Sequence, residues 1–545
     1  MKYILILFLF SGYLLQAQPL NRKDKKMVSW LKETVGFLAD DRLEGRRTGT
    51  PGEELAYRYI SQQFNKIGLE PLGDQNGYIQ PFDVYDGRAV DSVSSLFIND
   101  VAQTLHTGFF PMAYSGNVSN LLLPSFSDPG VELIDLKDAL AEQKSNPHFD
   151  LKDFTLNRCR DAEKSGKKLV IISNSSAEKD DLKFEPMDKT TRLGIPVIYI
   201  SGILNTADLV GSEGDKPNHK IRLTVSIRDK KRTGHNIVGY INNNAAQTIV
   251  LGAHYDHLGY GEDKNSLYAG TSPMIHNGAD DNASGTAALI ALGKKIKSGS
   301  LKKYNYLFVA FSGEELGLYG SKYFTEHSPV NLKDVNFMIN MDMVGRLNDS
   351  THGLTVGGYG TSPSWQEVIR VPDDYFTIKI DSSGSGPSDH TSFYRKDIPV
   401  LFFFTGTHSD YHKPSDDADK INYTGQLSII KYIYRVLEWA ENKEKLAFTK
   451  TREAASTGKS SFKVSLGIMP DYTFSGTGVH VDGISEGKAA QKAGIKTGDV
   501  IIQLGPHKVT DVQEYMQVLA KFNKGDATTV KIKRGTEELE LPIQF

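Results

Sequence analysis

Between His235 and Lys445 one pattern recurs: a short, unbroken apolar run, then a stretch with helical spacing. The runs cover 248–252, 306–311, 336–341 and 398–404. A strand with one wet face alternates apolar and polar residues, so unbroken runs imply strands covered on both sides. Buried strands joined through helices define an α/β domain with a mostly parallel central sheet flanked by helices. In such a sheet, ligand sites lie outside the carboxyl ends of the strands. The residues that follow each run are therefore where chemistry is expected.

The first run continues into Ala253-His254-Tyr255-Asp256-His257. On an extended segment residues two apart share a face, so His254 and Asp256 can serve as ligand and orienting carboxylate. Asn277-Gly278-Ala279-Asp280-Asp281-Asn282 then leads into an apolar helix, where paired acids could also act as a helix cap. The second run ends in Ser312-Gly313-Glu314-Glu315, the third in Asp342, and the fourth leads to His408-Ser409-Asp410-Tyr411-His412. One acidic strand end can simply be solvated. Several, converging on one crevice, would repel one another strongly unless cations were present. Imidazole and carboxylate donors without Cys suit zinc, and also cobalt or manganese. No Gly-x-Ser-x-Gly elbow accompanies these histidines, so a serine-hydrolase reading finds no support.

Ala253-His254-Tyr255-Asp256, Gly278 through Gly285, Glu314-Glu315, Asn340-Met341-Asp342 and Tyr411-His412 together resemble the co-catalytic dizinc aminopeptidases. Glutamate carboxypeptidase and glutaminyl cyclase are relatives of that family. Leu43-Glu44-Gly45-Arg46 and Gly386-Pro387-Ser388-Asp389-His390 match its accessory motifs, and the likeness covers roughly 25–110 and 230–445. The resemblance implies two zinc ions per chain. His254 and Asp342 would hold one, Glu315 and His412 the other, and Asp281 would bridge them. It also implies Glu314 as general base, Tyr411 near the developing oxyanion and Asp256 as the support of His254. Asp280, variable in the family pattern, is left out of the ligand set, and His257, His390 and His408 are read as local structural partners.

The chain has 545 residues, enough for about two to four domains. Its composition is 39% hydrophobic and 24% charged, which excludes a multi-span membrane protein and a largely disordered chain. A net charge of −3 without a long polybasic run argues against a dedicated nucleic-acid binder. Residues 1–17 have one early Lys, a short apolar stretch and a small residue at the end, which reads as a secretory signal peptide. Export to the periplasm or beyond follows, with no integral membrane segment after cleavage. Cys159 is the only cysteine, so no intrachain disulfide is expected; it reads as packing.

The expected organisation is a signal peptide at 1–17, the N-terminal part of the peptidase at 18–109, an insertion at 110–228 and the dizinc peptidase at 229–448. A linker at 449–462 and a C-terminal module at 463–545 follow. The insertion is β-rich and resembles a protease-associated domain; it would either shape access to the cleft or be a passive surface unit. The last module resembles a PDZ domain through Ser465-Leu466-Gly467-Ile468-Met469 and through 487–501. A PDZ domain binds C-terminal peptide segments by adding them as a strand; here it either does so or only packs on the peptidase. The reading is a secreted zinc exopeptidase, an aminopeptidase acting on peptides. Its alternatives are a carboxypeptidase or glutaminyl cyclase on the same fold, or a non-catalytic PDZ-containing scaffold.

Overall fold

A computed structural model of the chain describes residues 20–545, except 146–148, 150, 187, 189, 202–219, 264, 269, 271, 370–374, 452–463, 471–473, 475, 485–487, 511 and 520. The expected signal peptide and most of the expected linker lie outside the described residues. Four strands form the centre of a nine-stranded sheet, in the order Asn305–Phe311, Thr248–His254, Val335–Met341, Val400–Phe404. They run parallel, in the register Val250↔Leu307, Gly252↔Asn340 and Met341↔Phe403. Three of the expected apolar runs lie within these strands and the fourth, 398–404, overlaps Val400–Phe404, so the α/β reading holds. Outside this centre the pairing turns antiparallel: Ile227–Ile241 runs against Asn305–Phe311, and Gly353–Gly357 against Val400–Phe404. The sheet is therefore mixed, with a parallel centre and mainly antiparallel flanks.

Every residue of the three inner strands Thr248–His254, Asn305–Phe311 and Val335–Met341 is buried, because helices cover both faces. The period of two assigns the side chains. Ile249, Leu251, Phe308 and Ile339 pack with the helices Arg22–Leu38, Pro51–Ile67, Gly285–Lys297 and Tyr423–Ala440. Val250, Leu307, Val309 and Met338 face the other way, onto Phe324 and Phe393. The helix Pro51–Ile67 opens on the Thr50 cap with Pro51 in its first turn and closes at Gly68, whose φ of 80° is the left-handed geometry that favours glycine.

The β-rich insertion comprises two four-stranded sheets with their own apolar clusters. One of them pairs Ser95–Ile98 with Ile221–Val225, so the unit draws on residues upstream of 110. Cys159 is fully buried in the other, on the helix Leu151–Lys164. At the C-terminus Leu466, Val479, Val481, Ile501, Val530 and Ile532 form a separate core. Among the described residues no helix is long and apolar enough to cross a membrane.

Candidate metal centre

The carboxyl edge of the parallel strands brings the expected residues together. His254 is the last residue of its strand, Glu314 and Glu315 follow Phe311, and Asp342 follows Met341. His254 Nε2 lies 3.3 Å from Asp281 Oδ1 and 3.3 Å from Asp342 Oδ1, with Glu314 Oε2 at 4.0 Å. The other oxygen of Asp281 lies 3.3 Å from His412 Nε2, and His412 Nε2 is 3.2 Å from Glu315 Oε2. Asp281 thus turns one oxygen to each of two imidazole–carboxylate groups. Glycine is required just before it: Gly278 has φ 57°, and a Cβ there would lie 2.2 Å from the Asp281 carbonyl oxygen and 2.4 Å from the His257 ring.

Two compact donor groups stand out, His254–Asp281–Asp342 and His257–Asp281–Glu315, each with its donor atoms within 4.8 Å of one another. Among the described residues no lysine or arginine makes an ion pair with Asp281, Glu314, Glu315 or Asp342. Buried carboxylates need charge compensation, and donor sets of imidazole and carboxylate fit a divalent metal of the zinc type. His257, read as a structural partner, approaches Glu315 Oε1 to 2.7 Å but Asp281 only to 4.0 Å. His412 reaches both carboxylates at 3.2–3.3 Å, so it remains the better-placed imidazole for the second group.

Electrostatics divide the acids. Burial pushes the Glu314 carboxyl well above the usual range, and Asp342, Glu315 and Asp389 reinforce this against the pull of His254. Burial also raises Asp342, with repulsion from Asp281 added. Burial works the same way on Glu315, yet His412 and His257 hold it down to about 2. Asp281 is likewise held well below its usual value, against burial, by hydrogen bonds with His254 and His412. Glu314 and Asp342 are thus shifted toward the protonated form, while Glu315 and Asp281 are held in the charged form.

The support of His254 differs in detail from expectation. Its Nδ1 faces the backbone carbonyl of Asp256 at 3.2 Å, while the Asp256 carboxylate stands at 3.7 Å. That carboxylate accepts the Glu314 backbone N–H at 3.2 Å and the Thr48 hydroxyl at 3.0 Å. Asp256 thus contacts both the Glu314 backbone and the His254 ring. Tyr411 stacks on His412 with ring centroids 3.9 Å apart, and burial raises its phenol. Asp280 accepts from Gly345 N–H at 2.7 Å and lies 3.2 Å from His408 Nε2, and His390 stacks on Phe402.

Several supporting residues were not among the expected site residues. Thr48 and Glu53 come from the N-terminal segment: Glu53 accepts the Tyr255 hydroxyl at 3.1 Å and the Ser312 hydroxyl at 2.6 Å. Arg46, quoted only as part of a motif, is fully buried and donates to the carbonyls of Leu38, Tyr255, Asn277 and Gly278. Ser388 donates to Asp342 Oδ2 at 2.8 Å.

Parts of the chain are similar to known proteins. Residues 236–437 match the model of Peptidase family M28, and residues 449–545 match the PDZ domain. Aminopeptidase YwaD of Bacillus subtilis is 26% identical over 410 residues, covering 72% of this chain and 79% of that protein. Leupeptin-inactivating enzyme 1 of Streptomyces exfoliatus is 29% identical over 196 residues, 34% of this chain and 39% of its own length. Among solved structures, BSAP, a zinc aminopeptidase from Bacillus subtilis, is 20% identical over 77% of this chain and 98% of that chain, with a TM-score of 0.43. Residues 236–437 thus belong to peptidase family M28, which makes the chain a hydrolase, and residues 449–545 belong to the PDZ domains.

Proposed function

We propose that the chain is an exported zinc-dependent aminopeptidase that removes N-terminal residues from peptides. The observation that carries the reading is Asp281, whose two oxygens face separate imidazoles at 3.3 Å each. That is the arrangement a carboxylate shared by two ions requires. His254 and Asp342 would hold one zinc ion and Glu315 and His412 the other. When bound, the ions supply Lewis acidity for the scissile carbonyl and lower the pKa of a water. The direction of hydrolysis, from the N-terminus, is supported by the name of the relative that spans most of this chain.

The chain's own groups would do the rest. Glu314, raised by burial, takes a proton from the attacking water and returns it to the leaving amine. The Tyr411 hydroxyl, held over His412 by stacking, donates to the oxyanion as it develops. Asp256 fixes the backbone of Glu314 and, through its own carbonyl, the ring of His254. The PDZ domain would take C-terminal peptide segments, and the insertion would border access to the cleft.

The test is an assay of the purified protein on matched peptides with free and acetylated N-termini, with metal content determined alongside. Turnover of the free peptides only, with about two zinc ions per active chain, is expected. Equal cleavage of acetylated peptides would refute the aminopeptidase assignment. Full activity with one tightly bound ion would refute the shared role of Asp281.

A further inference from the structure

The second ion's expected ligands, Glu315 and His412, come from segments about a hundred residues apart, and neither lies within a strand. A third segment touches both. The backbone carbonyl of Asn265 lies 2.8 Å from His412 Nδ1, and its side-chain Nδ2 donates to the Glu315 carbonyl oxygen at 3.1 Å. The backbone N–H of Leu267 donates to the His412 carbonyl oxygen at 2.9 Å. A carbonyl can only accept, so the Asn265 contact puts the His412 proton on Nδ1. Nε2 is then free as a donor atom where it faces Asp281 and Glu315, at 3.3 and 3.2 Å.

This segment is itself tied down. Two residues before Asn265, the Asp263 carboxylate accepts from Arg47 at 2.8 and 2.9 Å and from Arg232 at 3.1 Å. Its side chain is only 9% exposed, so the pairing is shielded from solvent. Downstream, Ser266 Oγ meets His276 Nε2 at 2.7 Å, and the His276 N–H returns to the Gly259 carbonyl. The first ion's ligands are held by different groups: His254 faces the Asp256 carbonyl two residues along, and Asp342 accepts from Ser388.

We propose that Asn265, on a segment anchored through Asp263 to Arg47 and Arg232, is a positioning residue that selectively assembles the second metal site by holding Glu315 and His412 in one geometry. The inference rests on the two-ion reading above. Loss of an outer partner of a metal ligand typically lowers metal affinity 10–100-fold. The Asn265 amide and the Asp263 anchor should each act with that size on the second ion and leave the first unchanged.

Zinc affinity is measured by competition with a chromophoric chelator, and site occupancy by stepwise addition of Co²⁺ followed through its visible absorption. Wild type, Asn265→Ala and Asp263→Asn are compared, with circular dichroism of the metal-free proteins as the folding control. Two ions on wild type, with the second weakened 10–100-fold in both variants and the first retained, is the expected result. An unchanged second affinity in the variants would overturn the inference while leaving the two-ion reading intact, as would equal weakening of both ions. A single ion on wild type would overturn both. Should Asn265→Ala fail to fold, Asp263→Asn decides: it makes no contact with a ligand, so a selective loss there supports the proposal and no loss overturns it.

Discussion

Replacing Glu314 by Gln separates proton transfer from metal binding. Its side chain is about one-tenth exposed and approaches His254 Nε2 only to 4.0 Å, whereas Asp281 and Asp342 approach it to 3.3 Å. Its backbone N–H is held by Asp256 at 3.2 Å, so an isosteric change leaves the chain in place. General acid–base help contributes about 10²–10⁴-fold, or about 2.7–5.4 kcal/mol of barrier. The lower end of that range sets the expected loss at about 10²-fold or more. Glu315 lies 3.2 Å from His412 and is held to about 2, as suits a ligand that stays charged. Glu314→Gln should keep both ions and substrate binding while kcat falls; Glu315→Ala should lose metal occupancy first. Metal analysis of both variants with kcat and KM on a chromogenic aminoacyl amide makes the comparison. Full activity of Glu314→Gln would refute water activation by this residue. Metal loss from Glu314→Gln with a fully loaded, inactive Glu315→Ala would show the two roles to be exchanged.

Arg46→Ala should destabilise the metal-free protein by at least about 3 kcal/mol, since it removes the donor to the buried carbonyls of Leu38, Tyr255 and Asn277 and each costs about 1–3 kcal/mol. A denaturant titration showing a change under about 1 kcal/mol would contradict this. Burial pushes the Cys159 thiol up to about 12, so a thiol reagent at pH 8 should label the native protein far more slowly than the unfolded one. Equal rates would show that Cys159 is not held in the core. Deletion from Lys463 onward should leave a folded protein with near-normal hydrolysis of small substrates. The C-terminal core is separate from the others, and Lys508 pairs with Asp153 of the insertion at 2.6 Å. The shortened chain keeps Thr449 and Thr451, which hydrogen-bond to Thr361 and Tyr394; an unfolded product would show the PDZ domain to be structural.

The parallel centre of the sheet and the residue types at its carboxyl edge could be read from the amino acids in order. A strand buried on both faces must be apolar throughout, and that signal is local: 248–252, 306–311 and 336–341 show it without knowledge of any partner. His254, Glu314, Glu315 and Asp342 stand at or just beyond the ends of such runs, whereas Asp281 and His412 were singled out through the resemblance of their motifs to a known family. The antiparallel flanks emerged only in the folded chain, since burial dictates composition and not the direction of a neighbour. So did the turning of the Asp256 carboxylate chiefly to Thr48 and the Glu314 N–H, and the reach of His412 rather than His257 to both Asp281 and Glu315. Thr48, Glu53 and Asn265 have ordinary local surroundings in the chain. They matter because hydrogen bonds join them to residues from about 50 to more than 250 positions away, and no periodicity records a contact made only when the chain has closed on itself.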